Sequence, residues 1–96
     1  MLVTSLIAGA LFAAQPLAAG AAATLVEPRE VRANLDGRSW SCTSDGQCLG
    51  RGGGASQPLM RECRRFVARF GPVSAFSRDG LALVEAELAQ CNAAAR

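Results

Sequence analysis

The sequence predicts a small α+β domain. A short antiparallel sheet with a β-hairpin packs against one amphipathic helix, and a short C-terminal helix and two disulfides complete it. Three observations predict this class: apolar and polar residues alternate over Val31–Leu35, apolar residues recur at helical spacing over Leu59–Phe70, and there are four cysteines. A chain of 96 residues forms one small domain, in the size range where disulfides supplement a marginal hydrophobic core.

The N-terminal segment has the composition of a secretory signal peptide. The first 26 residues carry no charged side chain, and a short apolar run over Leu2–Ala14 is followed by small residues. Ala-x-Ala steps end at Ala21 and at Ala23. We therefore predict a signal peptide over residues 1–23, cleaved after Ala21 or Ala23, and a single disulfide-stapled domain over residues 24–96. Because no Lys or Arg stands near its start, an uncleaved membrane anchor is the alternative, although its strongly apolar run is shorter than the roughly 20 residues of a span.

The composition excludes several classes of enzyme. The chain contains no histidine, which removes Ser-His-Asp and Cys-His catalysis and His-ligated zinc. The eight acidic residues are scattered, and the sequence singles out no pair of them for acid–base catalysis. We therefore expect no enzyme, no cofactor and no metal site.

Two short strands are predicted ahead of the hairpin. The first is Thr24–Val26, which is followed by Pro28, a residue that lacks the N–H of a strand ladder. The second is Val31–Leu35, which ends at the turn sequence Asp36-Gly37.

The next segment predicts the hairpin, formed by Arg38–Thr43 and Gln47–Arg51. Gly46 stands where a three-residue loop needs a positive φ. In this register Cys42 lies opposite Cys48 in a non-hydrogen-bonded pair, where Cα atoms approach to about 4.5 Å and a disulfide can form.

A Cys42–Cys48 bond leaves Cys63 to pair with Cys91. The spacing Cys-x5-Cys differs from the Cys-x-x-Cys of thiol oxidoreductases, and the gaps between the cysteines are longer than those of zinc knuckles. We favour two structural disulfides, and catalytic redox chemistry and zinc binding remain the alternatives.

A glycine-rich segment follows the hairpin. Gly50–Ala55 fits the pattern G-x-G-x-x-A of dinucleotide-binding loops. That motif needs a parallel βαβ unit, whereas the strand here belongs to an antiparallel hairpin, so we interpret the segment as a flexible linker. We expect Trp40 opposite Gly50, with its ring covering the glycine in the core.

The clearest helical pattern begins at Pro58, with Ser56 or Gln57 as its N-cap, and ends at Gly71-Pro72. Its predicted buried face consists of apolar residues and one cysteine: Leu59, Cys63, Phe66, Val67 and Phe70. The opposite face carries Glu62 and four arginines: Arg61, Arg64, Arg65 and Arg69.

These four arginines form a candidate interaction face, here called the arginine face. Such a face can meet phosphate, lipid A or an acidic partner, but we interpret it as a solvated surface. Nucleic acid is not favoured, because the net charge is only +2 and no exposed aromatic residues alternate with the arginines.

The C-terminal part predicts one more strand, Val73–Ser77, a turn at Asp79-Gly80, and a short helix. One face of that helix is predicted to carry Val84, Leu88 and Cys91. A helix of this length is marginal in isolation, so a disulfide from its cysteine to the longer helix has an evident purpose. Val84 stands where a polar helix cap is expected, which leaves the start of this helix open.

Several short motifs together resemble an uncharacterised family of very small exported proteins of Gram-negative alphaproteobacteria. They span most of the predicted mature chain: Trp40-x-Cys42, Cys48, Arg61-x-Cys63-Arg64, Gly71-Pro72-Val73, Phe76-Ser77 and Leu88-Ala89-x-Cys91-Asn92. The resemblance implies export, a disulfide framework and one domain. It implies no assigned activity and transfers no catalytic residue.

Together these inferences predict an exported, periplasmic or secreted protein that acts as a non-enzymatic binding or structural module of the envelope. Its partner is not identified by the sequence, and an envelope protein or an anionic surface is the kind of partner expected. The alternative is a membrane-associated protein, held by an uncleaved N-terminal segment or by the arginine face on anionic lipid.

Overall fold

The computed structural model describes residues 20–53 and 57–96. In chain order, these residues form β1 (Ala21–Leu25), β2 (Val31–Leu35), β3 (Arg38–Cys42), β4 (Gln47–Gly52), α1 (Leu59–Phe70), β5 (Val73–Arg78), β6 (Leu81–Ala82) and α2 (Glu85–Asn92). The predicted α+β class is confirmed, with an antiparallel sheet, a hairpin, two helices in these residues, and both disulfides.

The six strands form one antiparallel sheet in the order β2-β3-β4-β1-β5-β6. The first strand of the described residues, β1, is therefore an inner strand, paired to β4 over Ala21–Thr24 on one side and to β5 on the other. Because β4 and β5 do not pair with each other, β1 alone joins the hairpin half of the sheet to the β5–β6 half.

One face of the sheet packs against α1 and forms the core. Three aromatic residues meet at its centre, where the ring centroids of Trp40 and Phe66 are 4.5 Å apart and those of Phe66 and Phe76 are 5.6 Å apart. Tilted rings at these distances are a favourable arrangement for aromatic side chains. The helix is amphipathic, and its buried apolar face toward the core consists of Cys63, Phe66, Val67 and Phe70.

The predicted hairpin register is confirmed. Cys42 pairs with Cys48 across β3 and β4, with their Cα atoms 4.0 Å apart in a disulfide, and Gly46 has the expected positive φ of 90°. Trp40 lies opposite Gly50, where an added Cβ would come within 2.7 Å of the indole ring. The ring can cover this position only because it is a glycine.

The second disulfide joins the two helices. Cys63 of α1 bonds to Cys91 of α2, with their Cα atoms 5.9 Å apart, and both residues are fully buried. The pairing predicted from the hairpin register is therefore confirmed for all four cysteines.

The first strand begins earlier than predicted. The sequence suggested Thr24–Val26, whereas β1 is Ala21–Leu25, with Ala21 and Ala23 among its buried residues. The alternation of buried and half-buried residues is present, but a run of alanines has no polar contrast that could reveal it. Of the predicted signal peptide, residues 1–19 lie outside the described residues.

The glycine-rich segment is partly strand rather than linker. Gly50, Arg51 and Gly52 belong to β4 and pair with β3 up to Arg38. The prediction of a linker over Gly50–Ala55 was wrong at this end, because the glycine under Trp40 is a packing position. Residues 54–56 lie outside the described part of the chain.

Both helix starts differ from the prediction. The N-cap of α1 is Pro58, without a side-chain capping bond, rather than Gln57, and Ser56 is outside the described residues. Val84 precedes α2 and is 61% exposed, so it does not share the buried face with Cys91. Its backbone N–H donates a hydrogen bond of 2.9 Å to Oε1 of Glu87, which is the half of a capping box that needs no polar side chain at the N-cap.

Candidate functional site

The two faces of α1 have opposite chemistry. Cys63, Phe66, Val67 and Phe70 face the sheet and are buried, whereas the four arginines of the arginine face are all exposed. The helix holds these arginines on a rigid element, because its other side is locked into the core and covalently tied to α2.

The arginine face borders an open groove of about 840 Å³. Its apolar part is formed by side chains of the helix, its N-cap and strand β2: Leu35, Pro58, Met60 and Ala68. Its charged part consists of the four arginines and one from the C-terminal segment: Arg61, Arg64, Arg65, Arg69 and Arg96. We call this the arginine groove, and none of its lining residues, all of which lie in the described part of the chain, is acidic.

One arginine of the groove is held by an ion pair at its edge. Arg65 donates two hydrogen bonds to the carboxylate of Asp36, of 2.6 Å and 3.0 Å. These bonds lower the pKa of Asp36 below its ordinary value, and they raise the pKa of Arg65. Asp36 reaches the helix from the β2–β3 turn, where it adopts a positive φ of 52°.

The remaining arginines of the groove are less constrained. The guanidinium of Arg69 lies 5.5 Å from the centroid of the Phe70 ring, within reach of a cation–π contact. Among the described residues, Arg61 and Arg64 have no carboxylate within ion-pair distance. The groove therefore presents guanidinium groups whose donors are open to an incoming anion.

Glu62 does not belong to the exposed face on which the sequence placed it. Its residue surface is only 3% exposed, and its carboxylate forms ion pairs with Arg38 and Arg78. Arg38 is itself buried and donates a further bond of 2.7 Å to the carbonyl of Gly52. Arg78 donates 3.0 Å and 2.6 Å bonds to Glu62 and to the carbonyl of Gln57.

The buried position of Glu62 leaves a signal in the sequence. It lies three residues after Leu59 and four before Phe66, so helical spacing alone puts it beside the apolar face. From the sequence, Glu62 was placed on the exposed face because it is charged, although its spacing puts it beside the apolar face. Its partner Arg38 lies on β3, so local pattern does not reveal the pair. The network is structural, since both carboxylate oxygens of Glu62 accept hydrogen bonds from arginines of the fold.

The opposite face of the sheet is open and mainly polar. A depression of about 690 Å³ lies on it, over β2, β3 and β4, with Arg32 and Arg51 as its charged residues. Leu49 also lines it and is 51% exposed. Its two arginines make a weaker anion site than the five of the arginine groove, but they provide a matched reference for experiments.

The structure also places the other candidate groups. All four cysteines are in disulfides, with Cys42 and Cys48 almost fully buried. Within residues 20–53 and 57–96, no three side chains of the metal-binding types come together. Over the same residues, no helix combines the length and the hydropathy needed to cross a bilayer.

Comparison with known proteins identifies a family but no individual relative. Neither the curated proteins nor the solved structures gave a match to this chain. A family model described as "Family of unknown function (DUF8200)" matches residues 3–93, which is nearly the whole chain. The resemblance to an uncharacterised family is thus confirmed at this level, and the chain belongs to the DUF8200 family.

Proposed function

We propose that this chain is an exported, non-enzymatic binding module of the bacterial envelope, which holds an acidic segment of a partner protein in the arginine groove. The observation that carries the proposal is the groove itself, lined by five arginines and four apolar residues, with no acidic lining residue among the described side chains. Clusters of arginine are a recurring means of recognising acidic peptides.

Export is supported by the cysteines and by the leader. Both disulfides are buried parts of the fold, and such bonds persist in the periplasm or outside the cell. The uncharged, apolar N-terminal segment has the pattern of a signal peptide. We therefore place the folded domain in the periplasm or in the secreted fraction.

The distribution of exposed apolar residues favours a peptide over a lipid surface. Docking on a bilayer would use exposed apolar side chains that flank the basic residues. The large exposed apolar residues of the described chain are Val26, Leu49, Leu81 and Val84. None of these four lines the groove, so these exposed apolar side chains and the arginines of the groove do not share one surface.

The absence of enzymatic activity remains part of the proposal. With no histidine in the chain and all cysteines in disulfides, acid–base chemistry, including activation of a serine or threonine hydroxyl, would fall to the carboxylates. Glu62 is committed to its buried arginine partners, and Asp36 to Arg65. Binding thus fits the available side chains better than catalysis does.

The test is binding of a fluorescent hexaglutamate peptide, followed by anisotropy at low salt. Replacement of Arg61 and Arg64 by Gln should weaken binding about fivefold to tenfold, since two charged donors are lost. The matched control replaces Arg32 and Arg51 by Gln, which removes the same charge from the opposite face and should change affinity less than about twofold. Equal effects of the two pairs would show that only net charge matters and would refute the proposed site.

The alternative function is membrane association through the same arginines or through an uncleaved leader. Vesicles of anionic phospholipid distinguish it: co-sedimentation that is lost with Arg61→Gln and Arg64→Gln, together with no peptide binding, would favour the membrane. If neither probe binds, the arginine face is a solvated surface, as its sequence first suggested.

A further inference from the structure

Gly20, immediately before β1, is fixed by two reciprocal hydrogen bonds. Its backbone nitrogen donates to Oδ1 of Asp79 at 3.0 Å, and the backbone N–H of Asp79 donates to the carbonyl of Gly20 at 2.8 Å. Asp79 belongs to the turn between β5 and β6. The residue ahead of the first strand is thus attached to the far half of the sheet.

Gly20 also occupies a position that only glycine fits. Its φ is +88°, a conformation that side chains disfavour, and an added Cβ would lie 2.7 Å from the carbonyl oxygen of Gly50. A residue with this conformation, this close approach and these two hydrogen bonds is an integral part of the fold rather than the end of a disposable leader.

The residues that follow are required by the sheet. Ala21 and Ala23 are only 4% and 3% exposed, and β1 is the strand that joins β4 to β5. Removal of the chain through Ala23 would delete most of this strand and separate the two halves of the sheet. Removal through Ala21 would delete Gly20 and both of its bonds to Asp79.

We infer that the leader is removed between Ala19 and Gly20, so that the mature chain begins at Gly20. This inference rests on the export part of the proposed function. Ala19 is a small residue of the kind that precedes cleavage sites. Two positions earlier, where the Ala-x-Ala pattern has alanine, this chain has Leu17. A cut at this bond keeps β1 whole, which cuts after Ala21 or Ala23 do not.

The cleavage creates a positive charge on the nitrogen of Gly20, next to the carboxylate of Asp79. Water supplies a hydroxyl to the carbonyl carbon of Ala19 and a proton to the nitrogen of Gly20 as the peptide bond between them breaks. The new α-amine becomes an ammonium group at neutral pH, and the nitrogen that carries it lies 3.0 Å from Oδ1 of Asp79. Cleavage thus converts a hydrogen bond of a neutral amide into a charge-assisted pair.

The first experiment determines the N-terminus. The full sequence is produced in a Gram-negative host, and the periplasmic form is analysed by N-terminal sequencing and intact mass. A first residue of Gly20 supports the inference, and a first residue of Ala22 or Thr24 overturns it while export stands. An intact chain in the cytoplasm overturns both the inference and the proposed export, so the two failures are distinguishable.

The second experiment compares chains that begin at Gly20, Ala22 and Thr24 after oxidative refolding. The chain from Gly20 should be the most stable in denaturant, the chain from Ala22 less so, and the chain from Thr24 should not form the native disulfides. If the chains from Ala22 and Gly20 have equal midpoints, Gly20 contributes nothing to the fold and the inference fails.

The third experiment isolates the charge of the new terminus. In a chain beginning at Gly20, Asp79→Asn should lower the folding equilibrium constant about two- to fivefold, as expected for an exposed ion pair. In the same chain with an acetylated α-amine, the substitution should have a smaller effect. An equal effect in both chains would show that the terminal amine does not pair with Asp79.

Discussion

The hairpin of β3 and β4 and the helix α2 each carry one disulfide, but they differ in what else holds them. The hairpin pairs with β2 and β1, places Trp40 in the core, and anchors Arg38 on Glu62 of α1. The helix α2 has eight residues, and Cys91 is the buried one among them. A disulfide therefore reinforces an element with many other contacts in the hairpin, and an element with few buried residues in α2.

Loop length points in the same direction. The two bonds close sequence separations of 6 and 28 residues. Chain-entropy arithmetic gives about 2.4 kcal/mol for the short loop and about 3.6 kcal/mol for the long one. We expect a disulfide to contribute most to stability where the element it joins has the fewest other buried contacts. The following substitutions test this expectation, from the largest expected effect to the smallest.

The strongest test removes the buried ion network that anchors the hairpin to α1. Glu62→Ala leaves Arg38, 2% exposed, without its carboxylate. Loss of one partner of a buried pair costs about 3–5 kcal/mol, because the remaining charge stays desolvated. Urea unfolding measures the loss, and Glu30→Ala, an exposed residue, is the control. A change below about 1 kcal/mol would show that the hairpin does not depend on this anchor.

The second test compares the two disulfides directly. The double substitution Cys63→Ser with Cys91→Ser should cost about 3.6 kcal/mol and leave residues 84–92 sensitive to protease. The change Cys42→Ser with Cys48→Ser should cost less, about 2.4 kcal/mol at most, because strand pairing still closes that loop. All four cysteines are at most 2% exposed, so the cost of burying serine is matched. A reversed order would mean that the hairpin bond supports the Trp40 core more than its loop length suggests.

The third test concerns the noncovalent attachment of α2. Asn92 accepts a hydrogen bond from the N–H of Val73 and donates one to its carbonyl, both of 2.8 Å. Asn92→Ala should cost about 1–2 kcal/mol, since it leaves two backbone groups of β5 without partners. Gln90→Ala, at an exposed position of the same helix, should be nearly neutral. If the two variants unfold alike, the disulfide alone holds the helix.

The same contrast explains how far the sequence could predict the fold. The hairpin register followed from local rules, since loop length, Gly46 and the facing cysteines all agree. The first residues of β1, Ala21–Ala23, could not be predicted in this way, because a run of alanines has no contrast between apolar and polar residues. Features that local sequence pattern specifies could be predicted. Features that depend on a residue from another element could not.

The candidate site shows the same limit. The exposed arginines were predicted one by one from helical spacing, and the structure places them around one groove. The groove itself needs Leu35 from β2 and Arg96 from the C-terminal segment, and the pairing of Arg65 needs Asp36 from a turn. None of these neighbours is near in sequence, so no spacing rule could bring them together.

The smallest expected effect concerns the exposed ion pair between the β2–β3 turn and α1. Arg65 and Asp36 form an ion pair with side chains that are 49% and 27% exposed, and such pairs contribute little. We expect Arg65→Gln to lower the melting temperature at pH 7 by about 2 °C. Arg64→Gln, which removes the same charge without breaking a pair among the described residues, is the control.

The pH dependence gives this last test its sign. Hydrogen bonds from Arg65 lower the pKa of Asp36 in the folded state below its ordinary value of 3.8. The carboxylate therefore stabilises the fold above pH 3.8, and this contribution is lost as the pH falls through the lowered pKa. Arg65 stays protonated throughout, because the same pair raises its pKa. The difference between wild type and Arg65→Gln should thus be constant near neutral pH and vanish in acid, whereas a difference that persists in acid would come from packing of the arginine stem rather than from the ion pair.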